Sequence, residues 1–359
     1  MSSESSKYNN MFIPKNDTLI EKLKRETKPI VVYGMGNGAD KVFSLCEENG
    51  IVITDVFASD EFVRGQSFHN FIVKTYSDIE NKYGYFVILL AFAVFRDDLM
   101  NKIDKMARKH TLYVPDVPLF GKSVFTYDFF KANYDIICRA YDLMADELSR
   151  RTFADIINAK LGGSYELLRR CESDRQEVFD NIIRLTHHER YVDLGAYDGD
   201  TITEFLAQTG GRYSKITAFE PDRKNMKKLE YKYGSLDNCK LYPYASWNKD
   251  TTLNFSGNGG RMSCIDEHGG EVQAKALDNV CMNATYIKMD VEGAEYETLL
   301  GCRRLIEKSA PSLAVSAYHR AGDIFTLPLL ISSLNPQYKI YLRHHKYVPA
   351  WETNLYVVG

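Results

Sequence analysis

Three short stretches in the second half of the chain carry residue types that could do chemistry together. The first is VDLGAYDGDT, Val192 to Thr201, in which an apolar strand runs into a helix through two glycines. Gly195 lets the backbone turn sharply and approach a ligand with no Cβ in the way, and Gly199 does the same one turn later. A helix opening near Asp200 and Thr201 faces its amide N–H groups toward that loop. The second stretch, ITAFEP, ends in Glu220 and Pro221. An acid at the end of a second strand can hold both hydroxyls of a ribose. Its charge suits a cofactor that carries a sulfonium and no phosphates, whereas a phosphate-bearing nucleotide favours a neutral or positive pocket. The third stretch, YIKMDVEGAE, ends a strand in Asp290 and opens a helix through Glu292 and Gly293. Ligands of open α/β sheets gather at the carboxyl ends of strands, which puts Asp290 and Glu292 where a reaction takes place. The competing use of Glu292 and Glu295 is electrostatic support of a helix N-terminus.

With LDNV (Leu277 to Val280) and SAYH (Ser316 to His319), these stretches resemble the FkbM family of methyltransferases in order and spacing. The resemblance runs through most of the C-terminal half. It implies a Rossmann-like fold, S-adenosylmethionine as cofactor, and transfer of a methyl group to a hydroxyl oxygen, commonly in polysaccharide or natural-product biosynthesis. Cofactor contacts are expected from Asp193, Gly195, Ala196, Tyr197, Asp198, Gly199, Asp200, Thr201, Glu220, Pro221, Ala245 and Asp290. Tyr197 and Asp198 stand where many members carry Asn-Ile.

Methyl transfer to an alcohol is an in-line displacement, so the oxygen must be aligned and its proton removed. His319, Asp290 and Glu292 are the expected catalytic residues. His319 lies just past a strand and has an ordinary pKa near neutrality. These three side chains are also plausible oxygen and nitrogen metal ligands, but nothing in their spacing demands an ion and no metal is expected. Arg343, His344 and His345 could bind an acidic acceptor such as a phosphorylated or uronic sugar. Adjacent strand residues point to opposite faces, so one of the two histidines would face the site. Arg261, with Asn258 and Ser263 in a glycine-rich excursion from Asp250 to Asp278, could contact an anion or belong to a merely mobile surface loop.

The elements that must position these residues read as alternating strands and helices. The class is α/β: a C-terminal Rossmann-like methyltransferase domain (186–359), preceded by a smaller Rossmann-like α/β domain (1–125) and a helical connector (126–185). In the first domain, strands are expected at Ile30 to Gly34, Ile51 to Ala58, Phe71 to Lys74 and Tyr85 to Phe92, with helices at Asn37 to Asn49, Ser77 to Tyr83 and Arg96 to Lys109. YGMGNGA, Tyr33 to Ala39, matches a dinucleotide-binding variant GxGxxA, with Asp60 as its downstream acid. It reads as a nucleotide or nucleotide-sugar site, as a scaffold that positions substrate, or as a redox site. The connector's apolar stripe packs within the chain or against a second copy.

The 359 residues carry a formal net charge of −3, so nothing drives the protein electrostatically to nucleic acid. The longest apolar run, Tyr85 to Phe95, is too short to span a bilayer, and the polar start is no secretory signal. Seven cysteines without CxxC spacing argue against a disulfide framework or zinc ribbon and for a cytoplasmic protein. The acceptor is expected to be a small molecule or glycan. A non-catalytic nucleotide or nucleotide-sugar binding scaffold and an NAD-linked sugar-modifying enzyme remain as other readings.

Overall fold

The computed structural model describes residues 8, 11–119, 123–256, 264–265 and 270–359. Its contacts group the chain into two units: Met1–Cys138 with Arg151–Glu172 and His344–Glu352, and Arg139–Arg150 with Ser173–Arg343 and Thr353–Gly359.

In the first unit, β1 (Ile30–Tyr33), β2 (Asp55–Phe57), β3 (Val87–Leu90) and β4 (Thr111–Tyr113) form a parallel sheet in the order β2-β1-β3-β4. Every residue of β1, β2 and β3 is buried, as β-branched runs are when both faces of a parallel sheet are covered. Two strands are shorter than the apolar runs suggest. For β2 the partner strand sets the limit: β1 begins at Ile30, and the Thr54 N–H reaches Ile30 O at 2.8 Å before the paired register starts at Asp55. Helices α1 (Asn37–Glu48), α2 (Tyr76–Tyr83) and α3 (Asp97–Lys109) accompany the sheet. α2 begins at Tyr76 rather than Ser77, because Thr75 and Asp78 close a reciprocal capping box ahead of it. The expected strand near Phe71 is a two-residue rung, Phe71–Ile72, paired with Ser67–Phe68.

The connector is helical, with α4 (Tyr134–Asp142) and α5 (Glu147–Gly162). Gly163, at φ 66°, stops α5 in a conformation that suits glycine.

The second unit holds β5 (Arg190–Leu194), β6 (Lys215–Phe219) and β7 (Cys239–Tyr242), then a small sheet of β8 (Ala245–Ser246), β9 (Thr251–Ser256), β10 (Cys264–Ile265) and β11 (Gly270–Lys275). Next come β12 (Tyr286–Met289), β13 (Ser312–Ser316), β14 (Lys339–His344) and β15 (Thr353–Val358). The main sheet runs β14-β15-β13-β12-β5-β6-β7. Strands β13, β12, β5, β6 and β7 are mutually parallel, and β15 is antiparallel to β13. The chain builds outward from β5 to β7, then returns to place β12 on the other side of β5. That reversal makes a topological switch point between β5 and β12, where ligands of such sheets bind. Helices α6 (Asp200–Gln208), α7 (Arg223–Tyr233), α8 (Glu295–Gly301) and α9 (Asp323–Leu334) follow their strands. Tyr191, Ala196, Phe205, Ile216, Leu229 and Tyr286 are among the core residues on one face. Among the described residues, no helix is long and apolar enough to cross a membrane.

Candidate active site

β5 delivers Asp193 and Leu194 to the switch point, and Gly195 turns the chain at φ 78°. The N–H groups of Gly195 and Ala196 both donate to Phe219 O at 3.0 Å, tying the loop to the end of β6. A Cβ on Gly195 would stand 1.9 Å from the carbonyl oxygen of Asp290. Only glycine lets the ends of β5 and β12 approach this closely. Gly199, at φ 86°, is equally confined, since a Cβ there would lie 2.2 Å from the Tyr233 ring. The Tyr233 hydroxyl donates to Gly199 O at 2.7 Å.

Glu220 faces this loop. The Tyr197 N–H donates to Glu220 Oε2 and the Asp222 N–H to Oε1, both at 2.8 Å. The residue is 5% exposed. Each carboxylate oxygen keeps further acceptor capacity after its one backbone bond, enough for two hydroxyls of a diol. Burial pushes the carboxyl up to about 7, against the pull of the two N–H groups. Around it, Thr201 Oγ1 donates to Asp193 Oδ2 at 2.6 Å and the Thr201 N–H to Asp200 Oδ1 at 2.8 Å. Asp198 sits 3.7 Å from Lys232. Pro221 is half-buried and Ala245 is buried in β8.

Beneath the loop lies a residue that the sequence reading passed over. Lys288 Nζ donates to Gly195 O at 2.8 Å and pairs with the fully buried Asp193 at 3.2 Å. Burial alone would lower its pKa, but Asp193, Asp290 and Asp200 outweigh that and raise it. The signal was a lone charged residue in the otherwise apolar strand Tyr286–Met289.

The second cluster gathers on His319, which is 3% exposed and three residues past β13. Its Nδ1 lies 2.8 Å from Glu295 Oε1. Its Nε2 lies 3.3 Å from Glu292 Oε2 and 3.4 Å from Asp290 Oδ1. Glu295 Oε1 also accepts the N–H groups of Val291 at 3.0 Å and Gly293 at 3.4 Å. Glu292 itself is held at φ 55° and Gly293 at φ 91°. Glu295 is therefore the hub of the turn, and its contribution is more than support of a helix end. Burial would lower the His319 pKa, but Glu295, Glu292 and Asp290 together raise it well above the usual histidine range. Asp323, buried at the start of α9, accepts the Arg320 N–H at 2.7 Å. Burial and the neighbouring Glu295 push its carboxyl up to about 7.

The structure thus brings Asp193, the glycine loop, Glu220, Asp290, Glu292 and His319 to the carboxyl ends of β5, β6, β12 and β13. Arg343 is placed differently. It belongs to β14, which β15 and β13 separate from β12. Its guanidinium is 2% exposed and is taken up by Asp146 at 2.7 Å, Glu177 at 3.2 Å and Ser149 Oγ at 2.8 Å. His344 is fully buried, and burial with the neighbouring His345 pulls its pKa to about 3, so it is uncharged at neutral pH. His345 is buried and its N–H donates to Glu352 O at 3.0 Å. Arg261, Asn258 and Ser263 lie outside the described residues.

In the first unit the glycine loop turns at Gly34, φ 131°. The position that excludes a side chain is Gly38, where a Cβ would stand 2.2 Å from Ala91 O, whereas Gly36 has nothing within 4 Å. Asp60 is exposed on a short turn.

A parallel sheet with a glycine loop and an acid at its switch point defines the Rossmann-like methyltransferase fold. Residues 193–349 match the family model of the methyltransferase FkbM domain. The crystal structure of methyltransferase FkbM from Methylobacillus flagellatus KT shares the fold over 99% of this chain and 96% of that one, with a TM-score of 0.73 and 21% sequence identity. An rRNA methylase from Streptococcus thermophilus matches 48% of this chain and 87% of its own, at 16% identity and a TM-score of 0.33. A precorrin-6y C5,15-methyltransferase from Geobacter metallireducens GS-15 matches 49% of this chain and 82% of its own, at 12% identity and a TM-score of 0.32. No curated protein matches the chain.

Proposed function

We propose that the chain transfers a methyl group from S-adenosylmethionine to a hydroxyl oxygen of a sugar, a glycan intermediate or a related metabolite. The observation that carries this reading is the buried Glu220 carboxylate, oriented by the Tyr197 and Asp222 N–H groups toward the glycine loop. The site fits the cofactor on its own terms: Gly195 and Gly199 leave no side chain over the turn, and Glu220 retains acceptor capacity for a ribose diol. S-adenosylmethionine, when bound, supplies an electrophilic methyl group on a sulfonium. Glu220 would hold the ribose hydroxyls, and Asp193, Ala196 to Thr201, Pro221 and Ala245 would surround the remainder. Asp193, Asp198, Asp200 and Glu220 bring four carboxylates to the loop, which favours a positively charged donor.

Asp290 and Glu292 are the partly open members of the second cluster, with side chains 30% and 28% exposed, and His319 stands behind them. Their work is to orient the acceptor hydroxyl and receive its proton as the new C–O bond forms. Cys46, Cys171, Cys239, Cys281 and Cys302 are free thiols, in keeping with a reducing cytoplasmic setting.

Calorimetric titration of the full chain with S-adenosylhomocysteine tests the pocket. One saturable site is expected, weakened at least about tenfold, or about 1.4 kcal/mol, in Glu220→Ala. A folded wild-type protein that shows no binding would end the proposal. Acceptors are then found by incubating the protein with S-adenosylmethionine and activated sugars, reading the mass gain of one methyl substitution.

A further inference from the structure

We propose that the outer face of α7 attaches the protein to the surface of an anionic lipid membrane, with Arg223, Lys224 and Lys227 facing the headgroups and Tyr231 entering the interfacial layer. The attachment stands on the helix alone; its use in meeting a membrane-borne acceptor rests on the methyl-transfer reading above.

The two sides of α7 are sharply different. Asn225, Met226, Leu229 and Tyr233 are buried. At about 100° per residue they define the inward stripe. Lys224, Lys227 and Tyr231 point the opposite way, with Arg223 and Lys228 on their flanks, and all five are exposed. Tyr231 stands at the crest with 92% of its surface open. An aromatic ring with a polar tip, set among cations, is the combination that settles at the level of lipid headgroups. Glu230, the single acid of the helix, lies at the edge of this face.

Folding does not account for these charges. Asp222 caps the helix, accepting the Lys224 N–H at 2.8 Å and the Asn225 N–H at 3.0 Å. Arg223 and Lys224 follow in a first turn that holds no acid, so they set positive charge against the positive end of the helix dipole. α3, which is also densely charged, does the reverse: Asp97 and Asp98 open it, and Arg108 and Lys109 close it. Some cations of α7 are engaged locally. Lys232 lies 3.7 Å from Asp198, and Lys228 donates to Asn225 Oδ1 at 3.1 Å. Among the described residues, the side chains of Arg223, Lys224 and Lys227 make no hydrogen bond or ion pair. Three unpaired cations on one helix face call for an anionic partner.

Charge and shape together select a lipid surface. The face is a ridge about 16 Å long, suited to an extended plane. A bilayer meets only the side turned toward it, and the acidic remainder of a chain of net charge −3 is screened beyond about 10 Å. The apolar stripe is already packed in the core, so the helix rests on the headgroups without inserting. Such attachment is reversible and strengthens with each cation that faces the anionic surface. The cofactor loop is close by. Lys228 Nζ lies 5.5 Å over the Tyr197 ring, and the Tyr233 hydroxyl donates to Gly199 O.

The test sediments the full-length protein with phosphatidylcholine vesicles, pure or with about 30 mol% phosphatidylglycerol, at about 0.1 M salt. Binding to the mixed vesicles alone is expected, and its loss at about 0.5 M salt. Lys224→Glu combined with Lys227→Glu should weaken it at least about tenfold, and Tyr231→Ser a few-fold. Lys102→Glu combined with Lys105→Glu makes the same charge change on exposed positions of α3 and should bind as wild type does. Melting curves check that each variant is folded. The proposal is overturned if the wild type ignores both vesicles or binds both alike, if the α7 double variant binds as wild type does, or if the α3 control loses as much. It is also overturned if a short RNA, and no vesicle, is bound through Lys224 and Lys227. S-adenosylhomocysteine titrated into the wild type separates the two readings. Its binding without vesicle attachment removes the lipid surface and leaves the adenosyl pocket, and attachment without it does the reverse.

Discussion

The chain builds the same local device twice, a buried strand turning through glycines into a helix, yet the two copies are furnished differently. After β5, the turn faces a buried acid. Glu220 at the end of the next strand takes the Tyr197 N–H, and Lys288 braces the floor through Asp193 and Gly195 O. After β1, the corresponding end of β2 leads to Ser59, whose hydroxyl is engaged by the Tyr33 hydroxyl at 2.9 Å, and then to the exposed Asp60. The buried acid of that strand, Asp55, sits at its opposite end and is held by Lys74 and Lys82. Glycines therefore make the turn, but the acid at the end of the neighbouring strand, and what it is bonded to, gives a turn the means to recognise a ligand.

The contrast can be broken most forcefully at the glycines. Gly195→Ala must place a Cβ against the Asp290 carbonyl at a positive φ. A loss of about 3 kcal/mol or more is expected in denaturant unfolding. Gly36→Ala, in open space at φ −116°, should change stability by less than about 1 kcal/mol. Near-equal effects would show that the two turns are equally confined. Next in size is Lys288→Met, which leaves the fully buried Asp193 unpaired. A destabilisation of about 3 kcal/mol is expected by the same measurement, and a neutral result would remove Lys288 from the floor of the site. The smallest effect is a pH dependence. With its carboxyl near 7, Glu220 is ionised above that pH and accepts ribose hydroxyls best there. Affinity for S-adenosylhomocysteine should fall a few-fold from pH 8 to pH 6, and Glu220→Gln should be weak and flat. Stability moves the other way. A carboxyl whose folded pKa is raised contributes stability below its unfolded value near 4.5, and that contribution is lost as pH rises through 7. Unfolding curves at pH 5 and pH 8 should therefore shift in favour of the glutamine variant at the higher pH.

The sequence displays much of this arrangement because glycines and strand-end acids are local signals. VDLGAYDGDT and AFEP place Gly195 and Glu220 without any knowledge of the sheet. What was not legible depends on contacts far along the chain. Nothing local says that Glu295 reaches back to Val291 while holding His319, 24 residues on. Arg343 and His344 read as exposed binding residues because charge usually marks the surface. Asp146 and Ser149, at the start of α5, and Glu177 lie 197, 194 and 166 residues earlier and together take up the guanidinium. The shortened β2 shows the same limit at small scale, since its apolar run extends beyond the point where its partner strand begins.

The order of strands in the large sheet also bears on how the protein is made. β15 occupies the slot between β14 and β13, and Thr353 O receives the Ala317 N–H at 2.9 Å, at the root of the segment that carries His319. While a nascent chain on the ribosome has yet to release Thr353–Val358, β13 keeps a bare edge, open to pairing with any stray strand. The imidazole's scaffold is thus completed by a strand translated long after the glycine loop has emerged.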